Sequence, residues 1–587
     1  MKPLWFGPTQ RPLFGWLHTP ADSLCRGGVL LAPTLGIEGV SARYAYRHVG
    51  DRLAESGFAA LRFDYDGTGD SAGRADDPER VAAWLESIRI ATEFVRGLHG
   101  GRMAVIGLRA GATLVAEAFG SGPATIDDLV LWDPCASGRA FIREQSALWS
   151  IALGGRSNDD GSVETPGLVY DKETVADLSS LAIANGDGPL ADGVLYLSRS
   201  SRKGNRGVNE RLSMPHVERL SIEGQEELVD VQPDAAQTPY DTVETIVEWL
   251  VTRAGSSATV PVDIDAAGSS RAVVMTTPEG HSIVEQALAL GPVGLFGIMT
   301  SRQDGGEPVA HDEHDGASSS DESSQSPTIF FLNAGALDHV GPARLWVQLS
   351  RLWAEAGART VRFDLTGLGD SPWRAGEPRP IVYAPDALDD VLDVLRAVSP
   401  EDPSNAILVG LCSGGYHAVE AALVLKVRGL CALNPILTIR LPEVTESLFP
   451  IRSEEVGPRR TPLGARKGMA RRSLPAHEIL SPLVQRLPDA AWWMINRVVV
   501  ESPPARLLAR VVDAGVDLLV IAGNREARFL SRGEGRTMRR LGKNRKFHLE
   551  VIPELEHSLF ERHGRELASV LLTDHLFGHP TLAVASN

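Results

Sequence analysis

The residues best suited to chemistry lie around Cys412. The apolar run Ile407-Leu408-Val409 leads into Gly410-Leu411-Cys412-Ser413-Gly414-Gly415, and an Ala-rich stretch from His417 to Leu425 follows with helical composition. Strand, tight turn and helix put the Cys412 thiol at the apex of the turn. An apex residue of this kind sits on strained backbone, and the flanking glycines let neighbouring backbone pass where a Cβ would clash. The helix that starts there presents free N–H groups, which favour a thiolate and help to hold an oxyanion. A free thiol with a pKa of ~8.5 is only a few per cent ionised at neutral pH, so it needs an imidazole beside it.

Acyl-enzyme chemistry requires a nucleophile, a base, a group that orients the base, and an oxyanion hole. Later in the chain, Val516–Gly523 reads as a buried strand and ends at Asn524-Arg525-Glu526. Phe547–Ile552 alternates like a strand and leads through Pro553-Glu554-Leu555-Glu556 to His557 and a closing helix. His557 is the expected base. His417 falls in the elbow helix, His548 in a strand, and His563 and His575 in or beside the last helix. Glu526 is the expected orienting acid, with Asp513 and Glu501 as the alternatives. The oxyanion hole is expected to combine the N–H of Ser413 with that of Gly335, or of its neighbour Ala336, in Asn333-Ala334-Gly335-Ala336 after the strand Ile329–Leu332.

The elements that position these groups occur twice. Strand candidates in the first half are Leu13–Leu17, Gly28–Ala32, Ala59–Asp64, Met103–Gly107, Leu129–Asp133, Gly193–Leu197 and Val217–Ile222, with helical patterns such as Tyr44–Ser56 and Pro78–Leu98 between them. That alternation predicts a mostly parallel, doubly wound α/β sheet. Phe6-Gly7-Pro8 returns as Leu290-Gly291-Pro292. Phe63-Asp64-x-x-Gly67-x-Gly69-Asp70-Ser71 returns as Phe363-Asp364-x-x-Gly367-x-Gly369-Asp370-Ser371 and reads as a structural turn. Leu131-Trp132-Asp133-Pro134 matches Leu433-Asn434-Pro435, and the elbow matches Gly107-Leu108-Arg109-Ala110-Gly111. The expected organisation is two tandem doubly wound domains, 1–255 and 270–587, joined near 254–270, with a helical cap over the second at about 438–515.

In the first copy Arg109 stands at the nucleophile position, and an always-charged guanidinium cannot attack a carbonyl. The stretch matching His557, near Asp234–Pro239, holds no histidine. This half is therefore expected to be catalytically silent, either a scaffold or a pocket in which Arg109 grips a carboxylate or phosphate.

Residues 303–327 carry seven acids and no Lys or Arg, together with a Ser run, and are expected to form a disordered surface loop. The cap region combines Arg459-Arg460, Arg466-Lys467 and Arg471-Arg472 with Trp492-Trp493-Met494-Ile495, which would suit an acyl chain and an anionic carrier or head group. A length of 587 residues implies at least two domains; 43% hydrophobic and 23% charged residues describe an ordinary globular chain. A net charge of −17 argues against nucleic-acid binding. No run approaches the ~20 apolar residues of a membrane span, and the N-terminus lacks a signal-peptide pattern. Cysteines 25, 135, 412 and 431 have no metal-ligand spacing. The expectations are a cytoplasmic location, no metal, no cofactor and a small-molecule acyl substrate, free or carrier-bound; the sequence leaves oligomeric state open.

The order of elbow, late acid and histidine, with the Phe-Asp-x-x-Gly-x-Gly-Asp-Ser turn, resembles the α/β-hydrolase superfamily. The likeness is to its serine aminopeptidase-like and exosortase-system-associated branches, which Gly7-Pro8, Ala32-Pro33 and Tyr170–Leu178 also resemble. It covers nearly the whole chain, twice. Cys412 departs from the Ser of most members, as in dienelactone hydrolases, polyhydroxyalkanoate synthases and some thioesterases, and Glu526 departs from the usual Asp. The resemblance implies ester or thioester hydrolysis through an acyl-enzyme. An acyltransferase delivering the acyl group from Cys412 to an amine or alcohol, and a non-enzymatic binding or scaffold protein, are the alternatives.

Overall fold

Short apolar runs alternate with helices as the sequence predicts, in a computed structural model that describes residues 1–578 apart from 100, 121–124, 154–160, 166, 202–204, 256–258, 263–266, 304–325, 377–379, 438–502 and 554. The expected acidic loop and nearly all of the expected cap lie outside the described residues. The chain forms two compact units. The first takes in essentially Met1–Ala287 and the second Leu288 onwards, apart from short pieces at 151–153 and 302–305 that fall to the other unit. Residues between the predicted domains belong with the first unit for a physical reason: Val260–Pro261 pairs antiparallel with Leu24–Cys25, and Ser269 exchanges backbone hydrogen bonds with Trp5.

In the first unit the strands lie in the order Lys2–Phe6, Leu13–His18, Phe58–Phe63, Gly27–Ala32, Met103–Leu108, Asp128–Trp132, Gly193–Arg199, Val217–Ile222. The two at the N-terminal edge are antiparallel and the rest parallel. Both faces are covered. Along one strand, Leu30 and Ala32 enter a core with Trp84, Ile88 and Leu114, while Val29 and Leu31 enter another with Tyr46, Val49 and Val243. A period of two places successive side chains on opposite faces, which is why a sheet buried on both sides reads as an unbroken apolar run.

From the second strand of that order onwards, the second unit repeats it as Leu295–Gln303, Arg359–Phe363, Thr328–Phe331, Ala406–Leu411, Gly429–Leu433, Asp517–Gly523, Phe547–Ile552. Even the register repeats, with Gly15 opposite Phe63 and Gly297 opposite Phe363. The Asp-x-x-Gly-x-Gly-Asp-Ser turn does one structural job in both units. The Ser71 and Ser371 hydroxyls each accept from a backbone N–H, of Phe14 and Phe296, at 2.9 Å, and each donates to the carbonyl of Asp64 or Asp364. Gly69 and Gly369 are at positive φ, and a Cβ on either would lie about 2 Å from the Asp carboxylate.

Candidate active site

The strand Ala406–Leu411 lies inside the second sheet, paired parallel with Thr328–Phe331 on one side and Gly429–Leu433 on the other. Its end turns abruptly into the helix Ser413–Leu425, with Cys412 at φ 55°, ψ −112°. A non-glycine residue there is strained, and the neighbours allow the turn only because they lack side chains. A Cβ on Gly410 would meet the Gly414 carbonyl carbon at 2.3 Å, and one on Gly414 would meet the Asn333 oxygen at 2.4 Å. The Gly-x-Cys-x-Gly spacing is thus a steric requirement of the turn.

The structure brings Cys412, His557 and Glu526 together. His557 Nδ1 lies 3.2 Å from Glu526 Oε1, and the imidazole hydrogen-bonds the Cys412 thiol. With Nδ1 turned to the carboxylate, Nε2 is the nitrogen left for sulfur. Glu526 opens the helix Asn524–Ser531 directly after the strand Asp517–Gly523 and is 6% exposed. Burial acts to raise the Cys412 thiol, but the charge and hydrogen bond of His557 outweigh it and hold it below its ordinary value. Burial likewise opposes the charge on His557, yet Cys412 and Glu526 push it up to about 10. Glu526 is held below the usual carboxylate range because the His557 contact overcomes burial. Each partner therefore favours the charged form of the other. Of the alternative acids, Asp513 pairs with Arg540 at 3.0 Å, and Glu501 lies outside the described residues.

The two residues expected to form the oxyanion hole are in contact. Gly335 has φ 60°, and nothing lies within 4 Å of where its Cβ would be, so the loop opens on free space there. Its N–H donates to the Ser413 hydroxyl at 2.9 Å. Ala336 beside it is buried. The loop is held from below by Asp364, which accepts from the Asn333 side chain at 2.8 Å and from the His339 N–H at 2.7 Å. Asn333 in turn donates to the Leu337 carbonyl and accepts from the Leu365 N–H.

Three residues that sequence reasoning did not single out lie against these groups. Asn434, at φ 40°, accepts from the Gly523 N–H and donates to the carbonyls of Glu556 and His557, so it clips the histidine loop to the strand that carries the acid. Glu556 accepts from the N–H groups of Ser558 and Phe560 and shapes the same loop. The hydroxyl of Tyr383, from the segment before the helix Ala387–Val398, lies 3.9 Å from Cys412 Sγ. Asn434 carried a signal, since it lies in a repeated motif where Asp133 is its counterpart; Tyr383 and Glu556 carried none.

In the first unit the elbow backbone survives without its chemistry. Arg109 has φ 54°, ψ −118°, nearly the conformation of Cys412. The expected grip on an anionic ligand is not what its surroundings support. The side chain is 1% exposed and is met by Glu38 at 3.1 Å, Glu144 at 2.6 Å and Asp133 at 3.5 Å. Arg199 joins the cluster, bonded to Asp133 and Asp230 at 2.6 Å each. The guanidinium is already neutralised by the protein's own carboxylates. Gln145 and Thr34 donate to Glu38 and fill more of its bonding capacity.

No described helix is long and apolar enough to cross a membrane. Comparison with curated proteins finds no match. Among solved structures, the chain is similar to Est1E from Butyrivibrio proteoclasticus bound to ferulic acid, at 16% identity over 43% of this chain and 98% of that one, with a TM-score of 0.33. It is similar to the proline iminopeptidase of Mycobacterium smegmatis at 12% identity over 43% and 99%, TM-score 0.28. A monoacylglycerol lipase of Paleococcus ferrophilus matches at 18% identity over 41% and 99%, TM-score 0.29. Residues 329–570 match the profile of the alpha/beta hydrolase family, and residues 26–156 match that of the serine aminopeptidases, S33. With the repeated strand order of the two sheets, these matches identify two α/β-hydrolase domains in tandem on one chain.

Proposed function

We propose that the second domain is a cysteine-dependent hydrolase that cleaves an ester or thioester through an acyl-enzyme on Cys412. The observation that carries this reading is the chain of contacts Cys412–His557–Glu526 at the apex of a strained elbow. The Cys412 thiolate attacks the substrate carbonyl and forms the S–C bond. The oxyanion is held by the N–H groups of Ser413 and Gly335. Collapse breaks the bond to the leaving group, which takes the proton from His557 Nε2. His557, now neutral, removes a proton from water, and the attack of that water on the thioester releases the acid and restores the pair. Glu526 orients the ring and balances its charge throughout. The first domain, with Arg109 in place of the nucleophile, takes no part in the chemistry.

The test is intact-mass spectrometry after incubation with a panel of acyl thioesters and esters. An acyl adduct that maps to Cys412 and decays in water supports the hydrolase. Decay that requires an added amine or alcohol reassigns the same residues to an acyltransferase. No adduct from any donor, with Cys412 no more reactive than a free thiol, overturns the reading.

A further inference from the structure

Beyond the three residues of the proposed triad, a fourth group reaches the reacting sulfur. Tyr383 lies in the short segment between the Asp364–Ser371 turn and the helix Ala387–Val398, and its hydroxyl is 3.9 Å from Cys412 Sγ. Its ring is fixed by the elbow helix itself. Tyr416 meets it edge-on with ring centres 5.7 Å apart, and His417 lies tilted against it at 6.0 Å. The Nε2–H of His417 donates to the carbonyl of Val382 at 3.1 Å, which pins the backbone next to Tyr383. Tyr416 is held by its own hydroxyl, which donates to Glu420 at 2.9 Å. A phenol in this position can donate its proton in a hydrogen bond to a negative charge on the sulfur.

Resting on the proposed function, we propose that Tyr383 is a catalytic residue whose hydroxyl donates a hydrogen bond to the Cys412 sulfur and holds the nucleophile as a thiolate. Charge-assisted hydrogen bonds of this kind are about twice as strong as neutral ones. Burial and the neighbouring Cys412 push the Tyr383 phenol well above its usual value, so it stays protonated over the working range and remains a donor. The Ser413 N–H is a further donor to the same sulfur. When Cys412 attacks, the sulfur lone pair becomes the S–C bond, and the tyrosine loses its acceptor without losing its proton. The titratable groups around the pair are His557 with Glu526, Glu556 in the histidine loop, Arg525 near Glu526, and Tyr416, His417 and Glu420 on the elbow helix. Arg374 with Asp386, and Asp390 with Thr366, complete the set next to the tyrosine segment.

The experiment is the pH dependence of Cys412 alkylation by iodoacetamide on the full chain, read peptide by peptide. The absorbance of the thiolate near 240 nm, as the difference from Cys412→Ala, provides a second readout. Tyr383→Phe keeps the ring and removes the donor. Its thiolate midpoint should rise by about one pH unit, so that alkylation on the acid limb slows roughly tenfold. Well above the midpoint the rate should equal or exceed that of the unaltered protein, because a thiolate relieved of a hydrogen bond is the better nucleophile. A merely structural tyrosine would lower the rate at every pH. Difluorotyrosine placed at position 383 keeps the size and sharpens the donor, so it should move the midpoint down; this holds the proposal open to refutation even if the Phe variant does not fold. An unmoved midpoint in both forms overturns the role of Tyr383. His557→Ala separates that failure from failure of the triad: if it raises the midpoint while Tyr383→Phe does not, the triad stands and the tyrosine role is wrong. If neither variant moves it and Cys412 titrates as an ordinary thiol, the proposed function itself is wrong.

Discussion

Replacing Arg109 by Ala should destabilise the first domain by about 3 kcal/mol, near the lower end of the ~3–5 kcal/mol seen when one partner of a buried ion pair is removed. The figure follows from what each carboxylate retains. Glu144 is 35% exposed and can return to water. Asp133 keeps Arg199 at 2.6 Å. Glu38 suffers most: its side chain is 2% exposed, and only the neutral donors Gln145, at 2.9 Å, and Thr34, at 3.1 Å, remain. One poorly compensated buried charge, on a domain whose total stability is ~5–15 kcal/mol, changes the opening equilibrium by about two powers of ten. Hydrogen exchange resolved on peptides from Met103–Leu108 and Ala110–Phe119 reads this locally, which matters because a chain with two domains need not unfold in one step. Adding Glu38→Gln to the Arg109→Ala variant should restore most of the loss, since the orphaned charge is then gone. A shift below about 1 kcal/mol, or no recovery in the double variant, would refute the argument that the ion cluster is a closed, self-neutralised replacement for an active site. The rate of acyl labelling at Cys412 by a small activated ester should not change.

The other predictions concern the second domain. Cys412→Ala should abolish acyl labelling and turnover while leaving the far-ultraviolet circular dichroism unchanged, and Cys412→Ser should retain little activity because the site favours a thiolate; wild-type turnover in the Ala variant rules out the nucleophile. His557→Ala should cost on the order of a thousandfold or more in kcat/KM, and Glu526→Gln less, since the carboxylate only orients and balances the imidazolium. The pH profile of kcat/KM should rise on the acid side at a value below that of an ordinary thiol, where the depressed Cys412 ionises, and fall on the alkaline side near 10, where the raised His557 loses its proton; a single transition near 8.5 contradicts the ion pair. Asn434→Ala should lower kcat by roughly 10- to 100-fold through misplacement of the histidine loop, with alkylation of Cys412 at alkaline pH nearly intact.

The elbow was legible because its constraint is local. Gly410, Cys412 and Gly414 lie within five residues, and the clash that demands the glycines follows from the turn alone. The meeting of His557 with Glu526 was legible by position, since Glu526 comes just after the apolar run Val516–Gly523 and His557 follows the alternating strand Phe547–Ile552 through a short loop. The repeated order of strands was legible because both copies keep the Asp-x-x-Gly-x-Gly-Asp-Ser turn, whose Asp and Ser bond to backbone within the motif and to one neighbouring strand. Between the predicted domains, a composition rich in Gly, Ser and Ala hid the pairing of Val260–Pro261 with Leu24–Cys25, because a two-residue strand has no periodicity to detect.

Tertiary structure alone decided the remainder, and distance along the chain is the reason. Tyr383 reaches Cys412 across 29 residues, Asn434 reaches His557 across 123, and Arg109 meets Glu38 across 71. Nothing in the local pattern of a tyrosine, an asparagine or an arginine tells which distant groups it faces. By itself the sequence determined that Arg109 could not be a nucleophile and that Cys412 could, because those are properties of the side chains. Whether the arginine faces a ligand or three of the protein's own acids, and whether the thiol has one donor or several, are properties of packing, and only the folded chain sets them.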